Sequence, residues 1–321
     1  MNYTEKFCTE RFGQNHQWFK DGVVLETLMG SHAYGTNNQD SDYDVVAVVM
    51  DKHDFLFPQR YGYTVGYNNL PTMKNGVLES KGPNKKLVLD SGKEVEGEWR
   101  LLTNFCRLAV KGSPNLVEVL FAQRNLVTVG HEVGWMLRDN RKLFLSIAVF
   151  NSFKGYAFGQ LDRLRKDVNR GKTENPKRQE FLDKFGYDVK MAYHTLRLLD
   201  QLEQLLTVGD LDLMKNKEEC KAMRKGEWGT WKEFEKFTLE KLRYVEDLSR
   251  NGTLPPEPRT VAVGELLKNC VESYYGSESA MQKQATEYVS AAEVMKKLDR
   301  LERLVKQRSS SEQNRSRCGP F

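Results

Sequence analysis

The sequence predicts a small α/β domain, α+β in finer terms, built on a mixed sheet and followed by a mostly α-helical C-terminal domain. Three observations carry this expectation. Short β-branched runs closed by turn residues occupy the first part of the chain, at Val23–Met29 and Tyr43–Met50. The polar turn Ser91-Gly92-Lys93 joins two more strand-like stretches, Lys86–Asp90 and Glu94–Trp99, into a hairpin. Beyond residue 130 the apolar spacing becomes helical, over 135–146, 149–169, 181–207, 230–250 and 286–308.

Taken in order, residues 1–20 mix aromatic and polar side chains and predict a helix packed on the first domain. Val23–Met29 is rich in Val and Leu and ends at Gly30, as a buried strand should. Ser31–Ser41 is small, polar and turn-prone, and Tyr43–Met50 is the second strand. Residues 58–85 carry turn signals without a period and read as a long loop or irregular insertion. Leu101–Val110 is helical in spacing and is stopped by Lys111-Gly112-Ser113-Pro114, after which Asn115–Ala122 is a further apolar segment. The breaker Asn251-Gly252-Thr253-Leu254-Pro255-Pro256-Glu257-Pro258 interrupts the helical region. Ser290 with Glu293 caps a last helix, and Ser309–Phe321 is a polar tail expected to be disordered. The division expected is 1–130, 131–308 and 309–321.

Of the 321 residues, 39% are hydrophobic and 11% aromatic, enough to form cores and to exclude disorder over most of the length. The net charge of +5 suits a partner bearing phosphates, or simply a solvated basic surface. The five cysteines (Cys8, Cys106, Cys220, Cys270, Cys318) are scattered, without a CxxC pair, which is a reduced pattern and neither a disulfide frame nor a zinc site. No apolar run approaches membrane-spanning length, so the expected setting is cytoplasmic with no membrane partner.

The chemistry concentrates in Gly30-Ser31-His32-Ala33-Tyr34-Gly35-Thr36 and Ser41-Asp42-Tyr43-Asp44. Residues two apart in a strand share a face, so Asp42 and Asp44 project together and could share a divalent ion. Gly30 allows close backbone approach to a phosphate, and Ser31 adds a hydroxyl donor. Magnesium prefers carboxylate and phosphate oxygens. Two such ions (Mg2+ or Mn2+) about 4 Å apart activate an attacking hydroxyl and stabilise leaving pyrophosphate.

Gly30-Ser31 with Ser41-Asp42-x-Asp44 resembles the GS…SDxD signature of DNA polymerase β superfamily nucleotidyltransferases. The fuller pattern is similar to the RlaP, or RNA ligase-associated, group of that superfamily, as are Phe105–Leu120 and Tyr187–Leu199, with a fainter echo at Gly252–Pro255 and Gly264-Glu265. The resemblance implies a minimal nucleotidyltransferase domain that moves a nucleoside monophosphate from an NTP to an acceptor hydroxyl, with an RNA 3′ end as the acceptor. It also implies a third carboxylate on a neighbouring strand. Glu94, Glu96 and Glu98 share one face there, and the family's spacing to Phe105 selects Glu96, although the family usually places Asp at that position and a β-branched residue where Gly97 stands. Lys190, His194 and Arg197 form one helical stripe, which the resemblance turns towards the nucleotide. Gly30, Ser31, Tyr34 and Ser41 complete the expected nucleotide contacts, with His32 beside them.

Other residues admit two readings. Lys154 and Tyr156 could give a phosphate contact and a stacking ring, or simply pack a helix. Arg163, Arg165, Lys166, Arg170 and Lys172 could follow a nucleic-acid backbone, or form a solvated face, as such runs usually do. Two alternative functions stay open: a nucleotide-binding regulatory module that has lost turnover, and a toxin-type transferase acting on tRNA or protein.

Overall fold

Strand β1 (Val23–Met29) forms because seven consecutive residues, mostly apolar, are walled in on both sides, by β2 (Tyr43–Val49) and by a late strand near residue 130. The computed structural model describes residues 2–10, 18–52, 73–74, 77–78 and 86–276. Before β1 lie α1 (Tyr3–Glu10) and the short α2 (Trp18–Gly22), in place of one helix over 1–20. Between β1 and β2 there is one turn of helix, α3 (Gly30–Ala33).

The short strands β3 (Met73–Lys74) and β4 (Val77–Leu78) fall inside the stretch expected to be a loop. The hairpin of β5 (Lys86–Val88) and β6 (Glu94–Leu101) is as the sequence indicates. Gly92 takes φ 80° at its tip, a left-handed conformation that glycine reaches without strain. With β7 (Val127–Gly130) the sheet has seven strands in the order β3-β4-β6-β2-β1-β7, and β5 also pairs with β6. It is mixed: β2 runs parallel to β6 and antiparallel to β1.

The register sorts the side chains. Glu26, Ala47 and Trp99 share one face, which α1 covers. Glu26 is fully buried in mid-strand and accepts from the Tyr3 and Thr4 backbone N–H groups at 2.8 and 2.6 Å, so a carboxylate satisfies the first turn of α1. The Trp99 indole donates to Thr4 Oγ1 at 2.8 Å and stacks edgewise on Phe7. The opposite face carries Asp44, Val46 and Val48 beside Glu96, Glu98 and Arg100.

After the sheet come α4 (Leu102–Ala109), α5 (Pro114–Phe121) and α6 (Glu132–Asp139), with a 3-10 turn at Arg141–Phe144. The expected helix over 135–146 is therefore α6 plus that turn. Helix α7 (Ile147–Arg170) matches its expected span, while 181–207 divides into α8 (Pro176–Phe185) and α9 (Val189–Thr207). The division has a local cause: Gly186 sits at φ 80°, and the Asp188 side chain then caps α9 by accepting from Lys190 and Met191 N–H, both at 3.0 Å. Helices α10 (Lys217–Lys225), α11 (Trp231–Arg250) and α12 (Thr260–Tyr275) follow.

Helix α9 is the hub of the helical region, buried along most of its surface and packed against α7, α8, α10 and α11. Contacts gather Met1–Asp51 with Val65–Cys270 into one compact unit, which holds the whole site described below. The expected last helix and tail lie outside the described residues. The four described cysteines are free and buried. No described helix is long and apolar enough to cross a membrane.

Candidate active site

Asp44 and Glu96 are direct partners in the parallel β2–β6 register. Parallel partners project to the same face from strands about 4.8 Å apart, and Asp42 lies two residues back on that face. The three acids therefore gather at one end of the sheet. Burial raises the Asp44 carboxyl above its ordinary pKa, and the negative charges of Glu96 and Asp42 push the same way. Lys190 and Lys86 oppose the shift.

The hairpin separates the three candidate glutamates by their partners. Glu94 is ion-paired with Lys86 at 3.0 Å, and Glu98 is ion-paired with Arg100. The Glu96 side chain is exposed and has neither a hydrogen bond nor an ion pair among the described residues. Gly97, beside it, occupies its position because the Trp99 ring lies where a Cβ would be. A β-branched residue would collide with that indole.

Gly30 turns the chain out of β1 at φ 59°. A Cβ there would meet the Asp44 carboxylate far inside van der Waals contact, so this glycine leaves room for the acid as well as for the turn. Ser31 is half-buried, and its carbonyl accepts from Thr36 N–H at 2.9 Å. Ser41 closes the Asn38–Ser41 turn at the head of β2, with its Oγ accepting from Asn38 N–H at 2.9 Å. His32 stacks on Tyr43 at 4.8 Å, and burial with the nearby Lys93 charge lowers its pKa.

The Lys190 stripe is brought to this face but splits in role. Lys190 is exposed, and its charge acts on Asp44. His194 is held well below its usual pKa by burial and then by Arg197, Lys190, Arg178 and Arg224 around it, so it is neutral. Arg197 is 8% exposed and pairs with Glu118, itself 1% exposed. Burial works against the Arg197 charge, but Glu118, Tyr34 and Tyr193 hold its pKa above the ordinary range. Tyr34 is buried in the same network: its hydroxyl donates to Glu118 at 2.5 Å, and the Arg197 guanidinium lies 3.9 Å from its ring. Tyr34 and Arg197 therefore face each other and Glu118, away from open solvent. Lys154 is ion-paired with Glu246 at 2.5 Å.

Three participants were not singled out from the sequence. Glu118 had a signal, as the one charge in the apolar helix Asn115–Phe121. Arg224 donates to the Thr36 carbonyl at 2.8 Å and pins the end of the signature loop, yet its basic surroundings (KAMRK) give no hint of this. Arg178 acts from α8 through its ion pair with Asp188 at 2.9 Å.

Among the described residues no group of three His, Cys, Asp or Glu side chains is drawn together as a ready-made metal cage. The acids at the sheet end still fit a divalent ion: the charges of Glu96 and Asp42 add to burial in raising the Asp44 carboxyl, and among the described residues neither Asp42 nor Glu96 is ion-paired, although the Lys86 charge acts on both. Magnesium commonly takes only one or two carboxylates and completes its shell with substrate phosphate and water.

A mixed sheet with a Gly-Ser turn feeding paired carboxylates is the arrangement of a nucleotidyltransferase. The model of the RlaP family, described as the RNA repair pathway DNA polymerase beta family, matches residues 6–229, and the chain belongs to that family. No curated protein matches the chain. Among solved structures, a nucleotidyltransferase-like protein from Exiguobacterium sibiricum 255-15 matches 89% of each chain at 10% identity and a TM-score of 0.28. At that score the likeness adds nothing to the reading of the site.

Proposed function

We propose that the protein is a metal-dependent transferase that moves a nucleoside monophosphate from an NTP to the 3′ hydroxyl of an RNA, releasing pyrophosphate. The observation that carries this reading is the pairing of Asp44 with Glu96, next to Asp42 and under the Lys190 charge. Membership of an RNA repair family supports the choice of RNA as acceptor.

In this reading Asp42, Asp44 and Glu96 would hold magnesium or manganese, which supplies charge neutralisation at the phosphates and lowers the pKa of the attacking hydroxyl. Gly30 and Ser31 position the triphosphate beside Asp44, and Lys190 offsets its charge. Neutral His194 can accept or donate a hydrogen bond without adding a proton at pH 7. Tyr34, Arg197 and Arg224 set the signature loop in place without touching nucleotide. The sheet region over 1–130 contributes the acids and the helical region over 131–308 the cations. The expected reaction belongs to the phosphoryl-transfer class in which the protein mainly positions and neutralises.

The test is transfer of label from each α-labelled NTP to an RNA with a free 3′ end, with magnesium or manganese. Label should join the RNA in the wild type and be absent with Asp42→Ala/Asp44→Ala. Nucleotide binding without transfer to RNA, or label appearing in protein or a small molecule, would overturn the reading.

A further inference from the structure

Helix α7 has a second face that the site does not use. Phe153, Ala157, Leu161 and Leu164 point into the core. Tyr156, Gly159, Arg163, Lys166 and Arg170 follow one another at spacings of three and four on another side, and all are exposed. Tyr156 is 58% exposed, unusual for an aromatic ring, and a Cβ at Gly155 or Gly159 would have nothing within 4 Å.

The basic end of this stripe enters a cavity of about 420 Å³ lined by Arg163, Lys166, Arg170 and Arg178. Asp162, Asp167 and Glu174 also line it. Lys166 is paired with Asp162 at 2.6 Å and Arg178 with Asp188, whereas Arg163 and Arg170 have no ion pair among the described residues. Met191, also in the lining, makes α9 part of the cavity wall, the helix whose first turn carries the cation that acts on Asp44.

We propose that this stripe and cavity bind the single-stranded 3′ end of the acceptor and lead it towards Asp42 and Asp44, an inference that rests on the RNA-acceptor reading above. An exposed ring followed by unpaired arginines is what a single strand needs: a face for a base and cations for the phosphates behind it. The span from Tyr156 to Arg170 is about 20 Å at 1.5 Å per residue, room for a few nucleotides. A duplex hides its base faces and could not use the ring.

The experiment measures binding of a labelled single-stranded RNA of about 12 nucleotides by anisotropy, across salt concentrations and without NTP. Tyr156→Ala should weaken binding by roughly 5- to 100-fold. Arg163→Gln/Arg170→Gln should weaken it about 10-fold or more and reduce the log–log salt slope by about 1.4, the value for two phosphates on a single strand. Both variants should keep the wild-type melting temperature and the wild-type affinity for magnesium-ATP. Unchanged RNA affinity and slope in both variants, or no RNA binding by the wild type, would overturn the track. Because no transfer is read, the two ideas fail separately: stripe-dependent binding in a protein that transfers nothing keeps the track and removes the transferase.

Discussion

Gly30 shows how much one residue decides. Its positive φ and the Asp44 carboxylate against its Cα leave room for hydrogen alone. Gly30→Ala should fold, since the position borders solvent, but it must push Asp44 aside. An ångström of displacement at a reacting centre can cost about 100-fold in rate, so the variant should lose at least about that factor in kcat for nucleotide transfer, while the strained backbone lowers its melting temperature by only about 2–5 °C. Activity within a few-fold of wild type would show that Asp44 does not need its place. At this scale the sequence was informative where chemistry is local. Gly30, Ser31, Asp42 and Asp44 are legible because a strand, a turn and a strand bring them together within fifteen residues. The burial of Tyr34 and Arg197 was not legible, since their partner Glu118 is 84 and 79 residues away.

At the scale of elements, α9 unites what the sequence could only align. The stripe at i, i+4 and i+7 is real, but the helix is buried almost all round, so its successive members meet different surroundings. Lys190 at the end reaches solvent, His194 is half-buried among cations and Arg197 is paired. The start of α9 at residue 189 was missed because the Gly186 break and the Asp188 cap are small signals inside a continuous apolar rhythm. The half-buried setting of His194 among cations has a consequence for stability. Its folded pKa lies well below the unfolded value of 6.5, so the unfolded chain binds the extra proton. The stabilisation is full above that unfolded value and is lost as pH falls through the folded one. The groups facing it, Arg197, Lys190, Arg178 and Arg224, are cations throughout this range and do not change the sign. The urea midpoint of the wild type should therefore fall between about pH 7.5 and about pH 5.5, and fall less in His194→Gln. His32, lowered in the same direction, accounts for part of the slope that remains. Equal slopes in the two proteins would contradict the neutral His194.

For the whole molecule, the link between sheet and helices is the buried set Glu118, Tyr34 and Arg197, contributed by α5, the signature loop and α9. The sequence shows a change of character near residue 130; contacts gather Met1–Asp51 with Val65–Cys270 into one unit, and the Thr36 hydroxyl of the signature loop meets that of Tyr193 on α9. Removing one member of a buried ion pair strands its partner and costs about 3–5 kcal/mol, whereas replacing both by neutral groups costs less. Arg197→Met should lower stability by about that amount in urea unfolding, and Glu118→Gln/Arg197→Met should recover part of it. A fully stable Arg197→Met with weakened NTP binding would return Arg197 to the nucleotide. The strands of the first region and the helical C-terminal region were both legible in the changing period of the apolar residues. The order of the strands was not, because nothing local specifies that β2 lies parallel to β6.

The central claim is that Glu96 completes the acidic centre with Asp42 and Asp44, while Glu94 and Glu98 are held by Lys86 and Arg100. The direct measurement is nucleotide transfer to RNA by Glu94→Gln, Glu96→Gln and Glu98→Gln under one set of conditions. The expected result is a loss of at least about 100-fold in Glu96→Gln, with the other two within a few-fold of wild type. Full activity in Glu96→Gln, or an equal loss in all three, would contradict it.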